Sequence, residues 1–338
     1  MLELDGSHGE GGGQVVRTSL ALSIVTGKPF RIVNLRARRS PPGLRRQHLV
    51  AVEAAARVSG ARVEGAVLGS RELTFVPGEA VPGEYDFPIG TAGSTTLVFQ
   101  TVLPPLLCAA GPSILTFEGG THNPMAPPFE FLDRAFLPLV RRLGPKAEAE
   151  LERPGFYPAG GGRFTVTLEP VPKLQGFDLL ERGPVRRRRA TALVSRLPRH
   201  IAERELEQVA RETGWEPAAL EAREVDAFGP GNAVLLEVES ENVTEVFNGI
   251  GERGLPAETV ASRAVREMRR YLDAGVPVGE HLADQLLLLL ALAGSGAFAT
   301  HPLSGHAATQ AELIARFLDV RILVERTSEE RCVVRVES

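Results

Sequence analysis

Four stretches of the chain hold residue types that could do chemistry. The first, Asp5 to Gln14, reads DGSHGEGGGQ and leads into an apolar, helix-like segment that carries Arg17 one turn in. Glycines let backbone N–H groups approach an anion, and a helix start adds a favourable dipole, so this is a candidate phosphate cradle. It follows neither the GxGxxG nor the GK[ST] pattern, and taken by itself it serves equally as a turn. Glu10 is more specific, because a carboxylate among phosphate-binding glycines is expected to hold a divalent cation. The second stretch, Arg36 to His48, places five arginines in 11 residues and then Gln47 and His48. The planar guanidinium fork grips phosphate oxygens, so the loop reads as a polyphosphate or RNA-backbone site, with a solvated charged surface as the other reading. The third, Arg153 to Gly162 (RPGFYPAGGG), reads as a tight glycine turn between strands. The fourth, His301 to Gln310 (HPLSGHAATQ), has two histidines around a Pro/Gly loop. No Cys or carboxylate stands at ligand spacing, which argues against zinc. His306, at the start of a helix, is either a cap or surface residue or a nucleophile toward phosphorus.

The elements that position these stretches recur. A helix over Gln14 to Thr26, a strand over Phe30 to Leu35, a polar loop, a helix over Arg46 to Ser59 and two short strands make a first unit. The same order returns from Gly93, with helices to Ala109 and over Phe129 to Leu143, and again from His281, with helices to Ala293 and over His306 to Phe317. Repeated α-β-α-β-β units indicate an α/β fold in which helices cover one face of each sheet. Residues 183 to 277 break the pattern: a basic strand start (GPVRRRRA), a helix over His200 to Thr213, strands near Ala219 to Val225 and Ala233 to Val238, and a helix over Glu258 to Leu272. This segment reads as an inserted small α/β domain. The large domain then comprises 1–182 together with 278–338.

Composition narrows the class. The chain has 338 residues, 43% of them hydrophobic and 24% charged, as in ordinary globular proteins. Its longest apolar run, Leu286 to Gly294, is far short of a membrane span, and the N-terminal MLELDGSHGEGG has no leader-like segment. Two cysteines, Cys108 and Cys332, give no disulfide framework, so a cytoplasmic location is expected. The net charge of -4 argues against broad nucleic-acid binding. Residues 1 to 60 nevertheless hold nine basic and four acidic residues, a local excess suited to one anionic ligand.

Together and in order, DGSHGEGGGQVVR, RARRSPPGLRRQH, GTAGSTTLVFQTVLPPLL, GGTHNPMAPP, RPGFYPAGGG, GPGNAVLLEVESEN, GEHLADQLLLLLALAG and the His306 segment resemble the catalytic branch of the RNA 3′-terminal phosphate cyclases from end to end. The resemblance implies three repeats, each like the C-terminal domain of a translation initiation factor, plus the inserted domain. It implies ATP-dependent conversion of an RNA 3′-phosphate to a 2′,3′-cyclic phosphate, with Mg2+ or Mn2+. His306 matches the nucleophile that takes AMP, and Glu10 matches the metal ligand. Arg17, Arg36, Arg39, Gln47 and His48 match phosphate-binding positions. Gln100, Pro127 and the run His281, Leu282, Ala283, Asp284 and Gln285 match the nucleotide pocket, with Asp284 placed to orient His306. Bacterial relatives often carry tyrosine at the position of His281, so base stacking there would fall to an imidazole. The implied partners are RNA 3′-phosphate ends and ATP, with no membrane, and a homodimer is one assembly open to the chain. Relatives that act in ribosome assembly on the same fold lack the nucleophilic histidine. Enolpyruvyl transferases share the wider architecture without needing one.

Overall fold

Parallel neighbouring strands cannot be joined by a tight turn, so the chain must cross over between them, and helices make those crossings. A computed structural model describes residues 1–9 and 11–338. In its first unit β1 (Leu2–Asp5) pairs parallel with β2 (Phe30–Val33), and α1 (Gly13–Thr26) is the crossover. Helix α2 (Arg46–Ser59) then leads to β3 (Arg62–Glu64) and β4 (Leu73–Val76), which close an antiparallel edge in the order β1-β2-β4-β3. The second unit repeats the plan. Strand β5 (Glu84–Pro88) is followed by α3 (Thr95–Leu106) and β6 (Ser113–Gly119). A composite helix comes next: α4 (Phe129–Phe131), a π-helical turn (Leu132–Phe136) and α5 (Leu137–Arg142). Strands β7 (Lys146–Arg153) and β8 (Gly162–Glu169) complete the order β5-β6-β8-β7.

The third unit starts with β9 (Asp178–Leu179) and is then interrupted. The intervening segment builds a sheet of its own from β10 (Val185–Ser195), β11 (Leu220–Glu224), β12 (Gly231–Ser240) and β13 (Thr244–Ile250), in the order β11-β10-β12-β13. It is covered by α6 (His200–Thr213) and α7 (Ala257–Ala274). The third unit resumes with α8 (Glu280–Ala293), β14 (Ser295–Thr300), α9 (Gly305–Phe317), β15 (Arg321–Arg326) and β16 (Cys332–Glu337), in the order β9-β14-β16-β15.

One apolar core runs through all three units, from Leu4 to Val336, because α1 packs against α2, α3 and α9, and α8 against α9. Its densest part is aromatic: Phe117 stacks on Phe87 and Phe164 at 5.1 and 5.0 Å and meets Phe99 edge-on at 5.8 Å. The intervening segment has a separate core around Phe247, Met268 and Tyr271. A small cluster of Phe156, Leu193, Ala233 and Leu235 ties its sheet to the β7–β8 turn.

The units are therefore β-α-β-α-β-β, one strand longer than the sequence pattern suggested. The leading strands are short and lie on sheet edges, β9 being two residues long, so they carry too few alternating positions to show a period. Strand β13 also escaped, its TEVFNGI run containing the turn-like pair Asn248-Gly249. The helix expected over 129–143 forms with a π turn in its middle. Among the described residues no helix is long and apolar enough to cross a membrane, and both cysteines are free. Phe117→Ala should destabilise the protein by about 3–5 kcal/mol, since it empties the centre of a four-ring cluster. A thermal or denaturant midpoint unchanged from the parent would contradict that packing.

Candidate active site

A helix that follows a parallel strand begins at the strand's C-terminal end, so each repeat lays two helix N-termini along one edge. Those starts meet around one cavity of about 630 Å³. Helix α1 contributes Gly13, Gln14 and Arg17, α2 contributes Gln47 and His48, and α3 contributes Leu97 and Gln100. Phe131 and Phe136 come from either side of the π turn, which brings residues five apart onto one face. Helix α8 adds His281, Asp284 and Gln285, and α9 adds His306 and Gln310. The starts of α1, α2, α8 and α9 give the cavity a positive bias before any side-chain charge is counted.

Arginines reinforce it. Arg17, Arg36, Arg39 and Arg45 all line the cavity. Burial lowers the Arg17 pKa to about 10, which leaves it charged at neutral pH. Partial burial, then Arg45 and Arg39, lower that of Arg36. Arg36 is held in left-handed backbone (φ 50°), and its Nη1 donates to the carbonyls of Pro41 and Gly43 at 2.9 and 3.0 Å. His48 is buried beside them. Its Nδ1 accepts from the Arg45 backbone N–H at 3.0 Å, while the His48 backbone N–H donates to the Arg45 carbonyl at 2.9 Å. Burial, with Arg17, Arg36 and Arg45 close by, pushes the imidazole pKa down to about 3, so the ring is neutral and its proton sits on Nε2. Gly13 permits the arrangement: a Cβ there would collide with His48 and stand 3.0 Å from Arg17 Nη1.

Opposite the arginines stands His306, exposed in the first turn of α9. Ser304 caps that helix, accepting from the Ala307 N–H at 3.0 Å, and its hydroxyl donates to Asp284 Oδ1 at 3.0 Å. Asp284, expected to orient His306, thus holds the Ser304 cap of the helix that carries it. Burial raises the Asp284 carboxyl to about 6, against the pull of Ser304, His281 and His306. The glycine loop closes on this side, since a Cβ at Gly9 (φ +57°) would collide with Thr309 of α9.

The start of α8 is gripped at three consecutive residues by the intervening segment. Glu245 Oε1 accepts the Gly279 N–H at 2.9 Å, Arg270 lies 3.2 Å from Glu280, and Glu267 lies 3.5 Å from His281. Glu267 and Asn248 also face the cavity, so that segment supplies part of its wall. Burial raises the Glu267 carboxyl, with His281 opposing it. The loop over residues 120–128 is fixed by a buried relay. The Gly155 N–H donates to Thr121 Oγ1 at 2.9 Å, Thr121 Oγ1 meets His122 Nδ1 at 2.8 Å, and His122 Nε2 meets Glu130 at 2.8 Å. Burial would raise the Glu130 carboxyl, but His122 outweighs it and holds it below the ordinary value. Thr96 pins Pro127 through its carbonyl at 2.8 Å. Among the described residues Gln100 Nε2, Gln285 Oε1 and Gln310 Oε1 are buried without a hydrogen-bond partner. Such atoms in a cavity wall call for a polar ligand.

The geometry can now be set beside known proteins. A family model described as RNA 3′-terminal phosphate cyclase matches residues 8–324. The chain belongs to that family. Curated proteins of the same name resemble it over nearly their whole length. The one from Koribacter versatilis is 50% identical over 98% of this chain and 93% of its own, and that from Ectopseudomonas mendocina 50% identical over 99% and 97%. The one from Pseudomonas fluorescens is 51% identical over 98% and 96%.

Of the residues singled out in the sequence, Arg17, Arg36, Arg39, Gln47, His48, Gln100, Pro127, His281, Asp284, Gln285 and His306 line this cavity. Leu282 and Ala283 do not; helical spacing turns them into the apolar core. Glu10 lies outside the described residues, and among those described no three His, Cys, Asp or Glu side chains gather as a metal-binding group. Arg45, Met125, Phe131, Asn248 and Glu267 were not anticipated. Arg45 stood inside the arginine run, but nothing in the sequence pointed to the last two, which arrive from the intervening segment.

The setting of His48 has a measurable consequence. Between pH 6.5 and about 3 the unfolded chain binds a proton that the folded chain refuses, so the stability due to neutral His48 is lost progressively as pH falls through that window. NMR should show one imidazole that stays neutral from pH 8 down to 5, and His48→Asn should flatten the acid limb of stability against pH. A His48 ring titrating near 6.5 would rule out the arrangement.

Proposed function

We propose that this protein is an ATP-dependent RNA 3′-phosphate cyclase that works through AMP carried on His306. The observation that supports the reading is the meeting of His306, exposed at the start of α9, with Arg17, Arg36, Arg39 and Arg45 in a single cavity. In the first step an imidazole nitrogen of His306 attacks the α-phosphorus of ATP, and the bond to pyrophosphate breaks. The arginines and helix starts stabilise charge that grows on the phosphate oxygens. In the second step an oxygen of the RNA 3′-phosphate attacks the same phosphorus, the P–N bond breaks, and His306 is restored. The adjacent 2′-hydroxyl then attacks the activated 3′-phosphorus, AMP leaves and the hydroxyl proton is released. DNA ends lack that hydroxyl and cannot close the ring.

The chain's own residues divide the work. Asp284 and Ser304 hold the start of α9, so His306 is presented at a fixed point. His48, being neutral, donates from Nε2 without adding a charge that would tighten phosphate release. Gln100, Gln285 and Gln310 offer unspent amide atoms to the nucleotide, Pro127 and His281 offer surfaces to its base, and Gln47 stands among the phosphate-binding groups. A divalent cation, Mg2+ or Mn2+, bound with ATP and held by Glu10, would screen the phosphates from one another.

Incubation with α-labelled ATP and divalent metal, followed by denaturing electrophoresis, tests the reading. Label should remain on the parent protein and be absent from His306→Ala. Folded protein that takes no label would favour a non-catalytic role of the kind some relatives play in ribosome assembly. Arg39→Ala should slow label transfer at subsaturating ATP at least tenfold, about 1.4 kcal/mol of transition-state stabilisation. An unchanged rate would return the arginine loop to a solvated surface.

A further inference from the structure

Aromatic rings are costly to leave in water, and this chain buries nearly all of its own. Of fifteen Phe, three Tyr and one Trp, only Tyr157 (65%) and Phe228 (55%) are exposed among the described residues. They come from distant parts of the chain and stand on adjoining turns. Tyr157 lies in the β7–β8 turn, closed by the Gly160 N–H donating to the Phe156 carbonyl at 2.7 Å. Phe228, from the loop before β12, lies on Gly161 of that turn, where a Cβ would collide with its ring, and Ala159 likewise abuts Gly229. Arg153 lies over the Phe228 ring at 4.0 Å from its centre and is tied down by its Nε donating to the Gly161 carbonyl at 2.8 Å. A surface of two exposed rings and a cation, with Phe228 held between Arg153 and Gly161, is thus assembled where the intervening segment meets the second repeat.

This surface continues into the cavity. Gly160 packs on Thr91 and Ala92, a Cβ there standing 3.0 Å from the Thr91 carbonyl oxygen. The same short loop meets Arg46 at Gly90 (3.4 Å) and Gln47 at Gly93 (3.6 Å), again measured from a built Cβ. Gln47 lines the cavity. On the other flank Asn123 donates to the Ala92 carbonyl, and two residues on Met125 is fully exposed at the cavity wall. From the cavity outward the chain therefore presents an exposed arginine, a glycine-lined turn with no bulky side chain, and then the two rings.

We propose that this track holds the single-stranded RNA that precedes the 3′-phosphate, with Arg46 on the backbone and unpaired bases stacked on Tyr157 and Phe228. The inference rests on the cavity being the seat of the RNA end. A positively charged path with exposed aromatic platforms is how unpaired nucleic acid is held without sequence readout, because every base has a stacking face. A duplex hides its base faces, so the surface suits a single strand.

The test uses the full chain, a fluorescent 3′-phosphorylated RNA ten-mer, and the same oligonucleotide made abasic at the nucleotides just before its terminal one. In anisotropy titrations the double variant Tyr157→Ala, Phe228→Ala should bind the normal ten-mer at least tenfold more weakly than the parent. The abasic ten-mer should bind parent and variant alike, and Tyr157→Phe should restore the tyrosine's share. Label transfer from ATP should be the same in variant and parent, which shows that the variant is folded. Binding of the normal ten-mer within twofold of the parent, or an equal loss with the abasic RNA, would overturn the proposal. A parent protein that binds RNA as described but takes no label from ATP would instead sink the adenylylation reading and leave this surface standing.

Discussion

Arg17, Arg36, Arg39 and Arg45 share one cavity, where Arg45 and Arg39 add to the cost of keeping Arg36 charged. Like charges brought this close disperse unless something holds them, and much of the molecule answers that need. Arg36 is held to backbone carbonyls in a left-handed turn, Arg17 is carried on a helix that only a glycine lets approach, and His48 stays neutral. Three copies of one βαβ-type plan surround these groups, their shared apolar core making the frame stiff. What results is an anion site prepared in advance, so an arriving phosphate meets charge that needs little rearrangement.

Much of this was legible in the sequence, for physical reasons. The arginine loop and the glycine run stood out because they concentrate residue types that a solvated surface rarely needs together. The helices showed their period because each buries an apolar stripe, those of the repeats in the common core and α6 and α7 in that of the intervening segment. The strand that opens each repeat did not, since a short edge strand has too few positions for alternation to register. Asn248 and Glu267 were invisible because their placement depends on how the intervening segment docks, which no local pattern encodes. Leu282 and Ala283 lie in a run that does supply His281, Asp284 and Gln285, yet a helix turns alternate groups of residues inward. Tyr157 stood in what read as a structural turn and Phe228 in no motif, and only their shared exposure, visible in three dimensions, sets them apart.

The role of Asp284 shows how position and chemistry are coupled. A carboxylate near a histidine invites the idea of a direct bond, but Asp284 bonds the Ser304 hydroxyl that caps α9. It governs where the imidazole stands by governing where the helix begins. Glu245 on β13 and Glu267 and Arg270 on α7 do the same for α8. In both cases the cavity wall depends on side chains that fix where a helix begins.

The interruption of the third repeat also orders events in time. Strand β9 leaves the ribosome early, but its partner β14 follows the whole intervening segment, with Asp178 pairing to Ala297 and Leu179 to Phe298. Contacts between such distant parts of a chain form late, because a large loop must close first. Helices α8 and α9, which carry Asp284 and His306, flank β14 and are synthesised with it. A nascent chain therefore displays its arginines long before it can complete the cavity with His281 and His306.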